Sequence, residues 1–212
     1  MRDPYFYPDT EILKNRLGIM DDAGLKAAEA DYVSLRLAEL ARDDFVRIFD
    51  FDCLCRMHYR IFQDIFEWAG KPRIINIEKA EKAENALNGI SIEYSDVFDI
   101  EGDAKAVLKD MNLYGWKKAS FDDTVRNFSD CMAKLWKAHP FREGNTRTIV
   151  TFCAMFIEAQ GIYIDSRLFK DNAKYMRDAL VAASAIFQTL ATGASPNIFT
   201  GLSGMRWNGE RR

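Results

Sequence analysis

His139-Pro140-Phe141-Arg142-Glu143-Gly144-Asn145-Thr146-Arg147 stands between two apolar-periodic runs, and its reading decides the fold. Before it, Val125, Phe128, Met132, Leu135 and Trp136 follow the helical period. Ser120 and Asp123 at their head predict a capping box with Asp in place of the usual Glu. After it, an apolar run extends from Thr148-Ile149-Val150 through Phe156-Ile157-Glu158-Ala159. Pro140 and Gly144 break the chain between them. The segment therefore predicts two amphipathic helices, the first over Ser120–Ala138, joined by a short loop. Such a pair makes a rigid platform for a site.

The loop itself gathers four kinds of chemistry. His139 carries an imidazole that, near its ordinary pKa of ~6.5, accepts a proton from an attacking hydroxyl at neutral pH. Glu143 offers a hard oxygen ligand suited to Mg²⁺, which commonly takes one or two carboxylates together with phosphate oxygens. Gly144, Asn145 and Thr146 precede a helix, where unpaired N–H groups and the helix dipole form an anion site. Arg147 falls in the first turn, against the dipole, so a bound anion is expected to offset its charge. The competing reading is a solvated turn with charges in water. The four parts within nine residues point instead to chemistry on a metal-bound phosphate chain.

Outward from the loop, the chain reads as mostly helical. Leu25, Ala28, Tyr32, Leu35 and Leu37 predict a helix over Asp21–Leu40. Asp50 is placed to cap a helix running towards Trp68, with Leu54, Met57, Ile61 and Ile65 on one stripe, until Gly70 and Pro72 stop it. Arg73–Glu78 and Gly89–Tyr94 alternate with strand period and predict a hairpin over about 73–95. The open edge of such a hairpin can pair with an extended segment of another protein. Helices are also expected over Asp103–Met111 and Asp171–Phe187, followed by a Gly-, Ser- and Asn-rich tail from Gly193 that frays.

Composition is consistent with one domain over 1–212: 48% hydrophobic and 13% aromatic residues supply a core and exclude disorder. A net charge of −3 gives no general attraction to nucleic acid or anionic membrane. No apolar run reaches the length of a membrane span. Cys53, Cys55, Cys131 and Cys153 follow no disulfide framework, and a reducing cytoplasm is the expected location. Cys53, Cys55 and His58 imitate a metal set, but cysteines two apart on a helix face different ways, so structural thiols and a packed histidine are expected.

The 139–147 run closely resembles the Fic family signature, His-Pro-Phe-x-Asp/Glu-Gly-Asn-Gly-Arg-x-x-Arg. The stretch from His58 to Arg73, with Trp68-Ala69-Gly70-Lys71-Pro72-Arg73 at its end, resembles the family's approach to its flap. Asp3-Pro4-Tyr5-Phe6-Tyr7-Pro8 and Leu13-Lys14-Asn15-Arg16-Leu17-Gly18 resemble the opening of many stand-alone bacterial members. The resemblance implies an all-α helical bundle with a small β-hairpin flap beside the loop. It implies transfer of AMP from MgATP to a Tyr, Thr or Ser hydroxyl of a target protein docked at the flap. His139 would then be the base and Glu143 the Mg²⁺ ligand. Gly144, Asn145 and Thr146 would cradle the α-phosphate, and Arg147 would contact the phosphate chain. Two positions differ from the pattern: Thr146 replaces Gly, and Val150 replaces a second Arg. A β-branched residue predicts a backbone at 146 outside the left-handed region. No Ser or Thr has Glu four residues later, so the family's internal inhibitory motif is missing, and a separate small antitoxin polypeptide is the expected restraint. A hydrolase on the same scaffold and a non-catalytic binding module are the alternatives.

Overall fold

A computed structural model describes residues 3–42, 48–77, 92–165, 169 and 171–191. Among these residues the architecture is all-helical, with six helices. Helix α1 (Asp22–Leu40) starts under Asp21, whose carboxylate accepts the Gly24 N–H at 2.7 Å. Helix α2 (Phe51–Phe62) starts under Asp50, which accepts the Cys53 N–H at 2.7 Å. Helix α3 is Ile100–Leu113, α4 Phe121–Ala138, α5 Asn145–Ala159 and α6 Ala173–Ala191. Ser120 caps α4 as expected, accepting the Asp123 N–H at 3.1 Å while its hydroxyl donates to Asp123 at 2.7 Å.

Several boundaries differ from those read in the sequence. Helix α2 stops at Phe62 instead of reaching Trp68. The Phe62 carbonyl takes the N–H groups of both Ile65 and Phe66 at 3.0 Å, which tightens the last turn, and the Ile65 carbonyl accepts the Arg16 N–H at 2.7 Å. Helix α3 begins ahead of Asp103 because the Asp96 carbonyl already accepts the Ile100 N–H at 3.1 Å and Ile100 is buried. Helix α6 starts at Ala173 and continues to Ala191, beyond Phe187. The expected hairpin over about 73–95 falls largely on residues 78–91, outside the described residues. Its described flanks, 73–77 and 92–96, carry no strand ladder. The tail from Gly193 is likewise outside the described residues.

Helix α4 is the hub, packed against α3, α5 and α6, while α2 packs against α1, α3 and α5. Trp136, Phe62, Phe66, Phe141, Phe152 and Phe156 are fully buried where these helices meet. Arg36 of α1 holds Asp64 through two bonds of 2.7 and 2.8 Å, tying α1 to the end of α2. All four cysteines are free, and burial pushes their thiols up, to about 11 at Cys53 and about 12 at Cys55. Among the described residues no cluster of His, Cys, Asp and Glu is arranged for a metal, and no helix is long and apolar enough to cross a membrane.

His58 joins this core to the 139–147 loop. The Gly70 N–H donates to its Nδ1 at 2.8 Å, so Nε2 carries the proton and donates to the Glu143 carbonyl at 3.0 Å. Its ring stacks on Phe141 with centroids 3.8 Å apart. Burial pushes the His58 pKa down to about 3, against the opposing pull of the Glu143 carbonyl.

Two outcomes follow from this packing. Phe141→Ala removes a fully buried ring and is expected to lower stability by ~3–5 kcal/mol in urea denaturation. His58 is neutral when folded but regains its ordinary pKa of ~6.5 when unfolded. Below that value the unfolded state binds the extra proton, so stability falls with decreasing pH, by up to ~1.4 kcal/mol per pH unit. A His58→Asn chain is expected to lose this dependence between roughly pH 6 and 5, where carboxylates scarcely titrate. Equal slopes in the two chains would refute a neutral buried His58.

Candidate active site

The loop after α4 is shaped by two left-handed residues. His139 terminates the helix at φ 47°, ψ 57°, with its N–H on the Trp136 carbonyl at 3.1 Å. That conformation costs a non-glycine residue ~1–3 kcal/mol unless the surroundings hold it. Here they do. Arg73 donates from Nε to the His139 carbonyl at 2.9 Å, and its own N–H donates to the Pro140 carbonyl at 2.8 Å. The imidazole lies flat against Tyr94, with ring centroids 3.8 Å apart, and edge-on to Trp136 at 5.3 Å.

The second left-handed residue is Gly144, at φ 81°. A Cβ there would lie 2.3 Å from the Phe62 ring, so both the dihedral and the space require glycine. Between the two turns, Asn145 closes the loop with a pair of bonds. Its Oδ1 accepts the Phe141 N–H at 2.9 Å and its Nδ2 donates to the Phe141 carbonyl at 2.7 Å. Arg142 points the other way, to Asp3 at 2.7 Å and over the Phe6 ring, so the N-terminal segment clasps the loop from outside.

Helix α5 starts directly after Gly144, and the N–H groups of Asn145, Thr146 and Arg147 have no acceptor within the helix. Asn145, Thr146 and Arg147 line a cavity of about 160 Å³ whose wall also includes Trp136, His139, Glu143, Gly144, Ala173 and Arg177. All six residues singled out in the sequence thus meet at one cavity. Its volume is below the ~300–1,000 Å³ of pockets that enclose drug-sized ligands, and suits a compact charged group. Glu143 is half-buried at the wall, one Oε1 accepting the Gly144 N–H at 3.1 Å. One hard carboxylate beside an anion site fits Mg²⁺ bound jointly with phosphate oxygens. In that arrangement Glu143 would hold the ion, which supplies charge neutralisation along the phosphates.

Several side chains are engaged differently from the sequence reading. The Asn145 side-chain amide is committed to the Phe141 main chain. Thr146 lies in α5 and is not left-handed; its hydroxyl accepts the Trp136 indole N–H at 2.9 Å. A glycine could not make that bond. Arg147 is met by the Glu29 carboxylate of α1, so an internal anion already offsets its charge. It also lies over the Phe62 ring, 5.0 Å from the centroid. Burial pushes Arg147 down, to about 10, which still leaves it a cation at neutral pH. Val150 is buried in the core.

Sequence reading passed over Arg73, Glu29 and Arg177. Arg73 stood as one polar position in a strand-like alternation, and neither Glu29 nor Arg177 was given a role. Only the spacing of the Gly70-to-Arg73 turn before the hairpin offered a sign of the first.

These residues place the chain among known proteins. The model of the Fic/DOC family matches residues 48–157. Protein adenylyltransferase VbhT of Bartonella schoenbuchensis is 32% identical over 77% of this chain and 32% of its own length. The match therefore spans about a third of VbhT. Probable protein adenylyltransferase y4lH of Sinorhizobium fredii is 31% identical, over 85% of this chain and 88% of its own. The crystal structure of the BepC protein of Bartonella tribocorum with bound AMPPNP shares the fold at a TM-score of 0.70 and 22% identity, covering 86% of this chain and 95% of that one. The chain belongs to the Fic/DOC family.

Proposed function

We propose that this chain is a protein adenylyltransferase that moves AMP from MgATP to a hydroxyl side chain of a protein target. The observation that carries the proposal is the shared cavity: His139, Glu143, Asn145, Thr146, Arg147 and Arg177 all line it. The activity in the names of VbhT and y4lH, and the nucleotide bound to BepC, support the same reading.

In this reading His139 takes the proton of the target hydroxyl as its oxygen attacks the α-phosphorus. The bond from that phosphorus to the bridging oxygen breaks, giving an AMP ester on the target and pyrophosphate. The N–H groups of Asn145, Thr146 and Arg147 hold the phosphate oxygens, with donors fixed before the charge develops. Arg147 brings little net charge to the cavity because Glu29 faces it. Arg177 of α6 is the second cation in the cavity lining, in a chain that has Val150 in place of the family's second Arg. An extended segment of the target pairs with the hairpin read over about 73–95. A separate small antitoxin polypeptide restrains the enzyme, in place of the inhibitory motif missing from the sequence.

Transfer of label from α-labelled ATP to lysate proteins tests the proposal. His139→Ala is expected to reduce labelling by ~10²-fold or more while MgATP still binds. Labelling that persists in His139→Ala would overturn the base assignment. A wild-type chain that releases nucleotide from pre-modified protein without labelling fresh protein would be a hydrolase. One that binds no MgATP by calorimetry would be a binding module. Arg177→Ala is expected to weaken MgATP binding by about tenfold, the scale of one exposed charge-assisted hydrogen bond. It should weaken AMP binding less. Equal affinity in wild type and variant would remove Arg177 from the phosphate site.

A further inference from the structure

Arg73 is a cation that is 2% exposed and lies outside the cavity wall. Its guanidinium fork reaches three parts of the chain. Nε donates to the His139 carbonyl at 2.9 Å, and Nη1 to the Ile75 carbonyl at 2.7 Å and the Asn76 Oδ1 at 3.3 Å. Nη2 donates to the Ser95 carbonyl. Every one of these acceptors is neutral. Burial lowers the pKa of Arg73, with Asp96 opposing it through space.

A buried charge among neutral acceptors is a costly way to hold a fold, and well-packed apolar residues usually do as well or better. What the fork supplies, and an apolar side chain does not, is direction: rigid donors aimed at three separate carbonyls. Asn76 extends the arrangement, donating to Asp96 at 2.7 Å and accepting the Val97 N–H at 2.8 Å. Segments 73–77 and 92–97 are thereby pinned together, and Arg73 pins both to the left-handed peptide of His139. Tyr94, against which the imidazole stacks, belongs to the second of those segments.

We infer that Arg73 is a positioning residue: it sets the His139 ring by fixing its backbone turn and the segment carrying Tyr94 in one frame. Its effect on transfer rests on the proposed adenylyltransferase reaction; its effect on the His139 ring does not.

The chain has only two histidines, so imidazole NMR signals resolve the outcome. In Arg73→Gln the His139 signals are expected to move while those of His58 stay. AMP transfer is expected to fall by up to ~10²-fold, the scale of a reacting group displaced by about an ångström, through kcat, with KM for MgATP unchanged. Arg73→Lys keeps the charge but not the fork and should lie between. If circular dichroism shows Arg73→Gln unfolded, Arg73→Lys alone carries the same two readouts. Unmoved His139 signals in a folded variant would overturn the inference. So would a loss of transfer that follows MgATP affinity step for step. A wild-type chain without transfer would sink the adenylyltransferase proposal and leave the NMR comparison to decide the role of Arg73.

Discussion

The turn from α4 into α5 is held open against its own backbone preference, and the rest of the site depends on that. His139 is left-handed where a histidine would rather not be, and Gly144 is left-handed where no other residue fits. Glycine takes that conformation freely, whereas the left-handed His139 has to be held by its surroundings. Arg73 and His58 hold the His139 and Glu143 carbonyls, the Asn145 side chain holds the Phe141 main chain, and Asp3 holds the Arg142 side chain. Together they leave His139, Glu143 and the first residues of α5 lining one cavity.

The bracing groups are of two electrostatic kinds. His58 is neutral, and its tautomer is dictated by the Gly70 N–H, so it directs the Glu143 carbonyl without adding charge near the carboxylate. Arg73 is charged and hydrogen-bonded to neutral carbonyl oxygens, with Asp96 acting on it through space. Arg147 is answered by a full carboxylate from α1, which makes the pair electrically quiet. Arg177 contributes its charge from a different helix. The first N–H groups of α5 have no acceptor within the helix and need no counter-charge, and Arg147 and Arg177 line the same cavity.

The departures of this chain from the family pattern have structural answers at both positions. Thr146 is compatible with the turn because the left-handed residue is Gly144, two positions earlier, and its hydroxyl satisfies the buried indole of Trp136. That indole is one of the edges against which His139 rests. Val150 is apolar and buried, one turn into α5, so the position serves the core.

Much of this was readable from the chain alone. Local rules are short-range: Asp21, Asp50 and Ser120 each cap a helix because a side-chain oxygen reaches an N–H three residues on. The apolar period placed α4 and α5, and nine contiguous residues carried the chemistry of the loop. The early stop of α2 was not readable, because it depends on Arg16 reaching the Ile65 carbonyl across the fold. Nor was the pairing of Arg147 with Glu29, 118 residues apart, or the reach of Arg73 to His139 over 66. Sequence by itself determined which helices form and which groups the loop presents, since propensity, capping and period act within a few residues. Tertiary structure alone decided which charges are answered and how the His139 ring is held. Those depend on distances between segments that no local pattern encodes.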